Sequence, residues 1–78
     1  MNHLIEALVK KLEGEVAIAR ANIKVYTSNA AGIGEHPDIV EAIETQIQKI
    51  ADAEEKISVC KDHFGSGNEV RHPTNRSA

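Results

Sequence analysis

The 78-residue sequence predicts an all-α fold, an antiparallel two-helix hairpin that dimerises into a four-helix bundle. Three observations carry that expectation: an amphipathic helical pattern from Leu4 to Tyr26, a second from Ile39 to Phe64, and a glycine-rich turn between them at Asn29-Ala30-Ala31-Gly32-Ile33-Gly34-Glu35-His36-Pro37. Two helices on one short connector fold back on each other most readily. The expected division is a hairpin over 1–64, with helices at about 2–28 and 37–64 and a turn at 29–36, followed by a flexible tail over 65–78.

The first helix rests on the row Ile5, Leu8, Leu12, Val16, Ala19, Ile23 and Tyr26, whose steps of 3, 4, 4, 3, 4 and 3 keep one helix face apolar. Leu4, Ile18 and Val25 flank that row, while Lys10, Glu13, Arg20 and Lys24 fall mostly away from it. The mean step is the heptad value, which suits coiled-coil-like packing. Gly14 is its weak point, costing about 1 kcal/mol against alanine in a helix interior.

In the turn, Gly32 and Gly34 give the backbone freedom to reverse, and Ile33 between them is expected to cap the end of the core. Pro37 fits a first helical turn, where its missing N–H is no loss, and Asp38 complements the positive end of the helix dipole. The second helix carries Ile43, Ile50, Ile57 and Phe64 at intervals of seven, with Val40 and Ile47 completing the seam in its first half. Further on, the equivalent positions become Glu54 and Lys61, so the apolar row is expected to drift sideways to Ala53 and Cys60. After Phe64 the chain turns to glycine, serine and asparagine, with Val70 its one branched aliphatic, and reads as disordered.

Composition narrows the functional classes. No apolar run approaches the ~20 residues of a membrane span, and the first residues lack the basic and apolar regions of a secretory signal, so the expected location is the cytoplasm. A single cysteine, Cys60, has no intrachain disulfide partner. The first helical segment carries a net charge of +1 and Glu35 to Phe64 carries −5, which favours pairing of the two helices and offers no large basic face for nucleic-acid phosphates.

No catalytic residue is assigned, because no G-x-S-x-G, P-loop, H-E-x-x-H or D-x-D-x-D-G pattern is present. No cofactor or metal is assigned either. The candidate ligands are Cys60, His63 and His3: the first two are three residues apart on one helix, and pairing of residue numbers that sum to about 65 would bring His3 beside Asp62. Against that, the spacing lacks the paired-ligand signature of a structural zinc site, and Cys60 reads as core filler. Glu35 and His36 stand beside a helix start, where free amides could bind an anion, but Pro37 removes a donor and Glu35, Asp38 and Glu41 oppose negative charge.

The stretch from Asn29 through Lys49, Asn-Ala-Ala-Gly-Ile-Gly-Glu-His-Pro-Asp-Ile-Val-Glu-Ala-Ile-Glu-Thr-Gln-Ile-Gln-Lys, resembles short proteins encoded by T4-like marine phages and found in ocean metagenomes. The resemblance covers the turn and the second helix only. It implies a small hairpin protein of viral or bacterial origin, in the host cytoplasm if phage-encoded, and transfers no catalytic residue.

The leading functional expectation is a non-enzymatic protein-interaction module that self-associates, since one helix cannot cover a stripe as wide as that of the first. The alternatives are a nucleic-acid or replication accessory factor, using Lys10, Lys11, Arg20, Lys24, Arg71 and Arg76, and a metal-binding hairpin at Cys60 and His63.

Overall fold

A computed structural model describes residues 2–28 and 36–65, apart from the side chains of His36 and Pro37. The described chain forms two helices, α1 at His3–Ser28 and α2 at His36–Phe64, packed against each other. The expected turn residues Gly32, Ile33 and Gly34 lie outside the described residues, as does the expected tail from Ser66 on. Pro37 is the second residue of α2.

Each helix starts and ends for local reasons. The Asn2 side-chain Oδ1 accepts the Ile5 amide at 2.9 Å, while the Asn2 carbonyl accepts the Glu6 amide, also at 2.9 Å. That makes Asn2 the N-cap of α1, satisfying one of the amides that no intrahelical carbonyl can reach. At the other end, the hydroxyls of Thr27 and Ser28 both donate to the Lys24 carbonyl, at 3.2 and 2.7 Å, drawing the last turn into local side-chain bonding. In α2, Asp38 stands in the first turn and Lys61 in the last, each sign at the dipole end that favours it.

The helices run antiparallel because the connector permits nothing else. At 26 and 29 residues they are about 39 and 44 Å long, whereas seven residues between Ser28 and His36 reach under about 30 Å. Parallel packing over their length would need a longer crossover.

The seam is a heptad on both helices. On α1 it runs through Ile5, Val9, Leu12, Val16, Ala19, Ile23 and Tyr26; Val9, Leu12 and Ala19 are buried and the others half-buried. On α2 it runs through Ile39, Ile43, Gln46, Ile50, Ala53, Ile57 and Cys60, of which Ile39, Gln46, Ala53 and Cys60 are buried. Both rows step alternately by four and three, the spacing that holds one face toward a partner helix.

Two parts of the expected intrachain seam are thereby displaced. Leu8 is 39% exposed and its neighbour Val9 takes the buried place. On α2, Val40 and Ile47 are 64% and 53% exposed, and the row beneath them lies one residue earlier, at Ile39 and Gln46. The cause is Gln46: with a polar residue at the centre of the face, the apolar side chains on its flank mimic the seam. Ala53 and Cys60 accordingly continue a row that is straight from Ile39, with no sideways drift. Phe64, the last residue of α2, is also exposed rather than seated in the seam.

Candidate functional site: the open face of the hairpin

Along one side of the hairpin the helices leave an open groove of about 440 Å³. Its walls are Glu15, Ile18 and Asn22 from α1 and Lys49, Asp52 and Lys56 from α2, with Ala19, Gln46 and Ala53 at its base. The base is alanine on both helices, and both alanines are buried, which lets the side chains above them stand apart.

A polar contact crosses the seam at this groove. The Asn22 Nδ2 donates to the Gln46 Oε1 at 3.1 Å, joining residues 24 positions apart. Gln46 is 8% exposed, and among the described residues no buried side-chain nitrogen or oxygen is left without a partner. A glutamine in a helix seam is tolerable under that condition, since burying an unmatched amide costs several times what a satisfied one does. Sequence reasoning missed this pair, because a turn centred near residue 32 pairs numbers that sum to about 65 and so sets Asn22 opposite Ile43 rather than Gln46.

Electrostatics on the groove are balanced. Lys11 donates to the Glu15 carboxylate one helical turn on, which holds the Glu15 pKa below the usual range; the charges of Lys11, Lys56 and Lys49 act in the same direction. The influence of Lys49 and Lys56 on Glu15 comes from across the seam, so opposite charges on the two helices face one another at this level. Glutamate in water-exposed surroundings gains little stability from such pairs. Their value is in alignment. The groove offers no nucleophile beside a base and no pair of carboxylates in an apolar setting, the arrangements that acid–base or covalent catalysis requires.

The groove fixes which residues share its side. In a helix pair with a 3.5-residue repeat, a step of seven returns a side chain to the same face. Stepping from Ile18 gives Leu4 and Val25, from Glu15 gives Leu8, from Asp52 gives Val59 and from Lys49 gives Ala42. Five large aliphatic side chains therefore line one face: Leu4, Ile18 and Val25 are 68%, 64% and 54% exposed, with Leu8 and Val59 near 40%. Val40 and Ile47 lie on the opposite side, over the α1 positions of Arg20 and Thr27.

The other candidates are dispersed. Residue numbers that pair across the seam sum to about 68, as Asn22 and Gln46 do, and not to 65. That shift of about 4.5 Å along the axis carries His3 past Asp62 toward the end of α2. Cys60 is buried in the seam, His63 is exposed with its ring 6.2 Å from that of Phe64, and Asp62 is half-buried and accepts the Ser58 hydroxyl at 3.5 Å. Among the described residues no three His, Cys, Asp or Glu side chains are grouped to hold a metal ion. The Glu35 and His36 side chains lie outside the described residues.

The basic residues are divided as well. Lys10 pairs with Glu13 at 3.8 Å and Lys11 with Glu15, while Arg20 and Lys24 border a second shallow depression with Ala21, Ile23 and Thr27. Arg71 and Arg76 lie outside the described residues. Among the described residues no helix is long and apolar enough to cross a membrane.

Fold and face together define a class, a two-helix hairpin with a heptad seam and an exposed, largely aliphatic side. No known protein family, curated protein or solved structure matches the chain.

Proposed function

We propose that the chain is a non-enzymatic helical interaction module that self-associates through its open face as a two-fold dimer, a four-helix bundle, and presents its remaining surface to a protein partner. The observation that carries this reading is the gathering of Leu4, Leu8, Ile18, Val25 and Val59 on one side while the outer face of α2 carries Glu41, Glu44, Gln48 and Glu55. Isolated exposed aliphatics are ordinary; several on one face of a small helical protein mark a docking surface. A two-fold axis uses the same patch on both subunits and so closes the assembly, leaving Val40 and Ile47 on the opposite side for a partner.

The face is tested by comparing Ile18→Asp with Glu44→Lys on the outer face. Ile18→Asp is expected to yield a helical monomer, because the charge would be desolvated only in the dimer. Glu44→Lys is expected to leave the assembly unchanged. Equal assembly of both variants would contradict this face.

A further inference from the structure

We infer that the Asn22–Gln46 hydrogen bond is a register lock, a polar device that selects one alignment of α2 against α1 and so assembles the open face from the two helices. The interior of the seam is weakly selective, and a slip that sets Cys60 beside Val16 is opposed there mainly by the uncovering of Ile5 and Val9 at the far end of α1. The seam rows repeat every seven residues on both helices, and isoleucine recurs at Ile43, Ile50 and Ile57, so sliding α2 by one heptad, about 10 Å, again meets aliphatic with aliphatic. Seven connector residues reach far enough to allow such a slip.

Gln46 breaks that degeneracy. Among the described residues it is the single polar one buried in the seam, and Asn22 is the cross-helix partner placed to accept its burial. In the observed alignment Leu8 stands level with Val59 and Val25 with Ala42, so apolar side chains of the two helices meet at both ends of the charged groove. A slipped alignment moves Gln46 away from Asn22 and pulls those pairs apart. A buried polar residue that fixes register at some expense of stability is a known use of asparagine in helix seams. The lock sets intrachain alignment, so its test does not depend on whether the hairpin dimerises.

The native thiol of Cys60 reports the alignment. Numbers summing to about 68 place it beside Val9, whereas a slip of one heptad places it beside Val16. Val9→Cys and Val16→Cys are each made in the full chain with Gln46 and with Gln46→Met, which keeps side-chain length without the hydrogen bond. All are oxidised with glutathione disulfide at high dilution, and the intrachain disulfide is read by mass spectrometry. With Gln46 present, Val9→Cys should cross-link and Val16→Cys should not. With Gln46→Met, helicity and thermal midpoint should hold or rise while the Val9→Cys yield falls. An undiminished Val9→Cys yield would overturn the lock, and so would loss of helicity in Gln46→Met, since a lock is dispensable for folding. Poor cross-linking of Val9→Cys with Gln46 in place would also overturn it, by removing the alignment on which it rests.

Discussion

Two asparagines illustrate how single residues act in this chain. Asn2 caps α1 through its Oδ1, and Asn22 bridges to Gln46 across the seam. Replacing the cap removes the acceptor of the Ile5 amide, so Asn2→Ala should cost about 1 kcal/mol, seen as a lower urea midpoint with unchanged slope. Cys60 fills space in the seam: at 6% exposure, Cys60→Ala should cost roughly 1 kcal/mol, the loss of about one methylene-sized group. Stoichiometric zinc in the purified protein, lost together with most of its stability in Cys60→Ala, would contradict that role. Glu15 gives the acid limb its sign. Because its folded-state pKa is depressed, its contribution is present above the ordinary glutamate range and is lost as pH falls through the depressed value. Glu15→Gln should therefore flatten the fall in thermal midpoint over acid pH slightly, and a steeper fall would contradict the assignment.

The helices show what a glycine and an alanine mean in such a seam. Gly14 stands in the middle of α1, exposed, and a Cβ built there meets nothing within 4 Å. Gly14→Ala should stabilise the hairpin by about 0.5–1 kcal/mol, and a lower thermal midpoint would reveal a close approach at that position. Ala53 is the opposite case, 2% exposed beneath the groove; Ala53→Leu should overpack the seam and cost about 1–3 kcal/mol. Both helices were legible in the sequence because their rows keep a helical period over more than twenty residues. The exact seam on α2 was not. Hydrophobicity placed it on Val40 and Ile47, and only the Asn22 partner explains why a glutamine occupies the centre. On α1, Leu8 and Val9 are equally apolar, and no intrahelical pattern tells which of two adjacent aliphatics the other helix will cover. The open face was legible in part: Leu4, Ile18 and Val25 stood out as a surplus row, but Val59 joins them only once α2 is laid alongside.

As a whole molecule the hairpin is a single layer of two helices, and each helix buries one stripe against the other. That leaves the groove side of α1, with Leu4, Leu8, Ile18 and Val25, uncovered within one chain. Small domains of this size bury only about 60% of the surface their unfolded chains expose, so further burial through association is a natural route to stability. The balance of Glu15 and Asp52 against Lys49 and Lys56 along the groove matters here, since a face of one sign would repel its own copy. Sedimentation equilibrium of the unmodified chain at micromolar concentration tests self-association through this face most directly. A dimer, twice the 8.5 kDa chain mass, is the predicted result, and a fully helical monomer over the same range would contradict it.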